Sequence, residues 1–274
     1  MSIDALIKQA ATQPKLIIPP GWGQGRATFG GLIASLLYSH LQANLGENPI
    51  SQTSQGGFGR RVLRSATISF IGAVAQGEVA FESEVFRSGK SVTQASVRLI
   101  QNGAVQAILL ASFGGARASS VEVAPLHRAP ELKQPEQVAD LPYIAGIMPE
   151  FFQQTNLRWA EGDAPFSGSK KADFAGWMRW RDSIARVDVA HVIGLVDAWP
   201  PSVFPLFKAP AFASTLCWTI EFIEHHFDQS SDNWWQYRVI TDYAHDGYAH
   251  AEAHIWDDQG RLVAISRQVS TIFI

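Results

Sequence analysis

The sequence predicts an α+β protein built from two copies of one unit, each a single helix laid on an antiparallel sheet. Three observations carry that expectation. Two meanders of alternating residues occupy positions 62–115 and roughly 214–274, and an apolar run of helical period stands before each. A charged, proline-bearing stretch without periodicity separates the two halves.

The first helix is read over residues 29–45, in "FGGLIASLLYSHLQANL". The first meander opens with "RSATISFIGAV" and continues through "GEVAFESEVFRSGKSVTQASVRLIQNGAVQAILLASFGG". Val79, Phe81, Ser83 and Val85, then Val92, Gln94, Ser96 and Arg98, take alternate positions, as residues on one side of a strand do. "RSGK" at 87–90 and "QNGA" at 101–104 place glycine where hairpin turns need it.

In the second half, "VDVAHVIGLVDAW" at 187–199 has helical spacing and runs into Pro200 and Pro201, which stop it. "STLCWTIEFIEHHF" and the run beginning at Trp234 form the second meander, with turns at "HDGY" (245–248) and "DQGR" (258–261). Gly89 and Gly103 are fourteen residues apart, and Gly247 and Gly260 are thirteen apart. "SF" at 69–70 and "EF" at 221–222 stand at nearly the same distance before the first turn of each meander. Such matching register reads as an internal duplication, with one sheet face buried under the helices. The implied organisation is a first unit over 1–117, a linker over 118–143 with four prolines, and a second unit over 144–274.

Composition narrows the function classes. With 46% apolar residues among 274, the chain can bury a substantial core. The net charge of −3, with no clustered Lys/Arg stripe, argues against nucleic acid as a partner. One cysteine, Cys217, excludes an intrachain disulfide framework and suits a reducing compartment. "MSIDALIKQAATQPK" lacks the apolar core of a signal peptide, and no run of about eighteen apolar residues suggests a membrane span. A cytoplasmic protein is expected.

Residues 21–31, "GWGQGRATFGG", hold five glycines and invite comparison with phosphate-binding loops. The spacing matches neither a dinucleotide fingerprint nor a Walker loop, and the preceding "KLIIPPGW" is broken by two prolines. The stretch reads first as a packing feature, with Phe29, Gly30 and Gly31 opening the first helix and pressing it close to the sheet. A second reading makes it a helix amino terminus that meets substrate.

The segments "GRATFGGLIASLL", "RSATISFIGAVAQGEVAFESEVFRSGKSVTQASVRLIQNGAVQAILLASFG" and "STLCWTIEF…DDQGRLVAISRQ" resemble the TesB-like acyl-CoA thioesterase II family. The resemblance runs from about Gly21 to the C-terminus and is weakest in the linker. It implies a double hotdog fold, an acyl-CoA substrate, no cofactor, and hydrolysis by a water ordered by an Asp, a Thr or Ser, and a Gln. The matching positions are Asp197 in "GLVDAW", Thr215 in "STLCW" and Gln268 in "ISRQVS". The sequence departs from the family at "FIGA" (70–73), where a proline is common, and at Cys217-Trp218, where some members carry Asp-His.

The residue types suit the chemistry. A carboxylate among Val192, Ile193 and Val196 has a raised pKa and can serve as base. Thr215 and Gln268 offer the hydrogen bonds that would orient a water. In the duplicate register Leu63 stands opposite Thr215 and Ala111 opposite Gln268, and the first helix carries no acid, so one site per chain is expected. Phe29, Gly30, Gly31 and Arg26 are the candidate substrate contacts, and Arg26, Arg60, Arg61 and Lys90 are candidates for the CoA phosphates by charge alone.

"HAEAH" (250–254) suggests metal ligands, but a strand spreads its ends over about 13 Å, too far for one ion, so no metal is expected. Cys217 reads as a buried structural thiol. Among the nine tryptophans, one or two would line an acyl tunnel. Asp188 and His191, i and i+3 on the second helix, keep a hotdog enoyl-CoA hydratase open as an alternative, although D-x-N-x-x-H is absent. A non-catalytic acyl-CoA binding protein is the other alternative. Exposed sheet edges predict a homodimer or higher assembly.

Overall fold

The computed structural model describes residues 1–45 and 61–273. Helix α1 (Ile3–Thr12) is capped by Ser2, whose hydroxyl accepts from the Ala5 N–H. Strand β1 (Lys15–Ile18) and a small ribbon, β2 (Gly23–Gln24) with β3 (Ala27–Thr28), lead into α2 (Gly30–Ala43). Four long strands follow: β4 (Val62–Phe70), β5 (Gly77–Ser88), β6 (Val92–Gln101) and β7 (Ala104–Gly114). The second half comprises β8 (Thr155–Glu161), β9 (Phe174–Trp180), α3 (Val189–Val196), β10 (Phe212–Phe222), β11 (Trp235–His245), β12 (Tyr248–Trp256) and β13 (Leu262–Phe273).

Eleven strands make one antiparallel sheet in the order β1-β5-β6-β7-β4-β10-β13-β12-β11-β9-β8. The halves join where β4 pairs with β10, and there Thr67 is the direct partner of Thr219, their hydroxyls 3.3 Å apart. The register that aligns Phe70 with Phe222 also aligns these two threonines. Each therefore pairs with its own counterpart, as residues on a two-fold axis do. The same register aligns the bulge between Leu63 and Ser65 in β4 with the bulge between Thr215 and Cys217 in β10. Both NG and DG hairpins put two successive residues at positive φ, Asn102-Gly103 and Asp246-Gly247. The architecture is a double hotdog.

Helix α2 is buried without interruption from Gly31 to Leu41. A helix apolar on every side has neighbours on every side, and here they are the sheet, α1 and α3. His40 Nδ1 lies 2.9 Å from Ala10 O, tying α2 to α1. Ser35 Oγ lies 2.8 Å from both Gly31 O and Ala190 O, tying α2 to α3. Among the described residues no helix is long and apolar enough to cross a membrane.

Two features go beyond the sequence expectation. Strands β8 and β9 lengthen the second half, and β9 is buried at nearly every position. The cause is the linker, which crosses the outer sheet face as a further layer. Trp177 Nε1 donates to Lys133 O at 2.9 Å, Arg158 pairs with Asp140 at 2.9 Å, and Leu141 N–H donates to Leu157 O at 2.8 Å. A strand covered on both faces has no reason to alternate. Cys217 is exposed, against the buried thiol expected: it lies beyond the β10 bulge, on the face opposite the fully buried Trp218.

Candidate active site

Helix α3 begins at a capping box, Asp188 with His191, and ends at Asp197, its C-cap, three residues before the proline pair. Asp197 is half-buried, and its Oδ1 accepts from Gln268 Nε2 at 2.8 Å. A second donor is the Gly31 N–H at the start of α2. That end of α2 has no side-chain cap of its own, so the carboxyl of α3 caps its neighbour. Burial pushes the Asp197 pKa up to about 7, with the Gln268 amide and the Gly31 N–H pulling it partway back.

The glycine-rich stretch acquires its reason here. A Cβ on Gly30 would stand 2.7 Å from Asp197 Oδ2, and one on Gly31 would stand 2.6 Å from Gly194 O. Helices α2 and α3 cross at backbone distance because both positions lack a side chain. The expectation placed this close approach at the sheet; a Gly30 Cβ would indeed stand 3.3 Å from the Phe70 ring of β4, but the contacts with α3 and its C-cap are closer. Earlier in the stretch the Gly21 and Gly23 N–H groups donate to Glu150 Oε2 at 3.2 and 3.3 Å. The loop does cradle anions, and they are the chain's own carboxylates.

Gln268 lies on β13 between Trp218 of β10 and Ala251 of β12, on the face that turns toward the helices. Thr215 pairs with Ser270, two residues along the same face. It makes no hydrogen bond to Asp197 or Gln268. It stands diagonally across the β10–β13 pair from Gln268, with the β10 bulge between them. Val196, Trp199, Tyr237, Ala251, Gln268 and Ser270 line a narrow cavity of about 20 Å³, room for one water molecule.

The cavity wall is aromatic, with Trp199 stacked on Tyr237 at 5.3 Å and packed against Phe174 at 5.6 Å. Burial first, then the nearby Asp197, pushes the Tyr237 hydroxyl far above its ordinary range, so it stays protonated. Trp199 is thus the tryptophan beside the site, while Trp180 and Trp218 belong to the core. Tyr237 and the Gly31 N–H were not foreseen. The missing side-chain cap ahead of Gly30 is the signal that an acid from elsewhere serves that helix end.

The other anticipated positions divide. Gly30 and Gly31 sit at Asp197. Phe29 is fully buried and stacked on Phe151 at 3.9 Å, so its side chain is core and not a substrate contact. Arg26 is exposed in the β2–β3 turn, and Arg60 lies outside the described residues. Arg61 braces the β5–β6 turn through Ser88, Thr93 and the Gly89 carbonyl. Asp188 and His191 are spent on the α3 capping box, their side chains 2.8 Å apart.

The structure is similar to several solved hotdog proteins. A hot dog-fold protein of unknown function from Alicyclobacillus acidocaldarius superposes with a TM-score of 0.81 at 19% identity, covering 98% of each chain. The tesB protein of Mycobacterium avium subspecies paratuberculosis gives 0.73 at 16% identity over 99% of each chain. The acyl-CoA thioesterase II TesB2 of Mycobacterium marinum gives 0.66 at 20% identity, over 90% of this chain and 89% of that one. No curated protein matches the sequence. Family models do: residues 18–114 match the acyl-CoA thioesterase N-terminal domain and residues 129–272 the C-terminal domain. The chain therefore belongs to the acyl-CoA thioesterase family and is a thioester hydrolase.

Proposed function

We propose that the chain hydrolyses acyl-CoA to free acid and CoA at one site, with Asp197 as general base and Thr215 and Gln268 orienting the attacking water. The observation that carries this reading is the desolvated, half-buried Asp197 carboxyl, held by Gln268 and Gly31 with a pKa of about 7. Such a group is half ionised at neutral pH, where a general base works best. Asp197 removes a proton as the water oxygen attacks the thioester carbonyl carbon. The tetrahedral oxyanion then collapses, the C–S bond breaks, and the CoA sulfur takes up the proton. The positive end of the α2 dipole lies beside the same carboxylate and favours the developing anion.

One site per chain is supported by the duplicate. In its register Leu63 and Ala111, both about 1% exposed, replace Thr215 and Gln268. The hydratase alternative would need Asp188 and His191, which cap α3 instead. The edge strands β1 and β8 support assembly between copies, which light scattering on the eluted protein would read.

The pH dependence tests the base directly. The rate kcat/KM rises with pH through a limb near 7 as Asp197 ionises. Gln268 favours the anion, so Gln268→Ala moves that limb to higher pH and lowers the plateau. Initial rates between about pH 5.5 and 9 read both effects. A limb that stays in place in the variant contradicts the Asp197–Gln268 pairing in catalysis.

A further inference from the structure

Away from Asp197, the outer face of β12 carries a second cluster. The helix-facing side of that strand is Ala249, Ala251, Ala253 and Ile255, while Glu252 and His254 point outward beneath the linker. His254 is only 2% exposed, and its imidazole makes no hydrogen bond with any described residue. Glu252 Oε1 lies 3.5 Å from His254 Nε2. His127, from the linker, packs against His254 with ring centroids 4.1 Å apart and the planes tilted by 42°. One ligand atom from each of His127, Glu252 and His254 falls within 4.8 Å of the others, the one such trio among the described residues.

We propose that His127, Glu252 and His254 bind a divalent transition cation, with Zn²⁺ as the best match, and thereby clasp the linker to β12. Two imidazole nitrogens and one carboxylate oxygen are a borderline donor set that suits Zn²⁺ and disfavours Mg²⁺ or Ca²⁺. Tetrahedral coordination at about 2.0–2.1 Å asks for donors about 3.4 Å apart. The His254–Glu252 pair already meets that separation. The remaining closure falls to His127, which is exposed and free to turn. Arg267 binds Glu252 through the other oxygen, Oε2, and so fixes the carboxylate while leaving Oε1 for the ion. His250 takes no part: it is exposed and packs near the Tyr243 ring at 6.3 Å. The spacing objection to "HAEAH" concerned the two ends of that strand segment. It does not reach a trio whose third member comes from the linker.

The test uses tag-free, chelator-treated protein titrated with ZnCl₂ by calorimetry, with MgCl₂ as a control. The result expected is one Zn²⁺ per chain, no response to Mg²⁺, and a rise in Tm that follows the metal concentration. His127→Ala, at an exposed position that the core does not need, abolishes both the binding and the rise. Glu252→Gln weakens them. Thioester hydrolysis stays at the wild-type rate in His127→Ala with or without metal, because the cluster lies on the sheet face opposite Asp197. Absence of one-to-one binding, or binding of equal strength in His127→Ala, overturns the proposal whatever the hydrolysis assays show.

Discussion

Asp197→Asn is expected to lose about 10²–10⁴-fold in kcat while becoming more stable than the wild type above neutral pH. The two effects have one cause. In the folded chain the carboxyl has a pKa of about 7, against the ordinary aspartate value of 3.8. Between those values the native state holds a proton that the unfolded chain has released, so stability falls as pH rises. The loss begins above the unfolded pKa and is complete once pH passes 7, reaching at most about 4 kcal/mol. Asparagine keeps an acceptor for Gln268 and Gly31 and never ionises. Thermal unfolding of both proteins from about pH 4 to 8.5 should therefore show midpoints that lie closest near pH 4, diverge progressively in favour of the variant as pH rises to 7, and stay apart above it. An asparagine variant that is less stable at pH 8 than the wild type would mean that the site stabilises the anion outright, which contradicts a base poised near neutrality.

Gly31→Ala carries the second large effect. The new Cβ would stand 2.4 Å from the Phe29 ring and 2.6 Å from the Gly194 carbonyl. Phe29 is held by its stack on Phe151 at 3.9 Å, and Gly194 O is backbone, so the helices have to move apart. Overpacking of this kind costs about 1–3 kcal/mol. It also draws the Gly31 N–H away from Asp197. That donor favours the anion, so its loss raises the carboxyl pKa further and shifts the rising limb of kcat/KM to higher pH. Gly25→Ala is the matched control, with no atom within 4 Å of its Cβ and a strained φ of +64° as its only fault. It should cost about 1–2 kcal/mol and leave the limb where it was. Equal pH profiles for the two alanine variants would mean that Gly31 matters for packing alone.

The sequence made the duplication visible because it is written in local terms. Hairpin turns at Asn102-Gly103 and Asp246-Gly247 need positive φ, and the strands between them face the core on one side only, so alternation shows. The stop of α3 before Pro200 was equally plain, whereas its start was read at residue 187 and lies at Val189, behind an Asp188 cap. Less legible was whatever depends on distant partners. Strand β9 looked like no strand because the linker covers its outer face, which erases alternation. The glycine pair could be seen to permit close approach, but only the fold shows that Gly194 and Asp197 are what approaches. Asp197 and Gln268 were identified through family resemblance, and the 2.8 Å bond between them joins residues 71 apart in sequence. His127 gave no signal at all, since nothing in a linker's composition reveals which strand it will cross.

The most direct measurement is CoA thiol release from a panel of short-, medium- and long-chain acyl-CoAs, with wild type and Asp197→Asn side by side at pH 8. The site described here predicts steady release by the wild type on at least part of the panel. It predicts a fall of about 10²–10⁴-fold in the folded variant. Release that survives the substitution would move the catalytic base elsewhere. Silence from well-folded wild type across all chain lengths would contradict acyl-CoA hydrolysis itself.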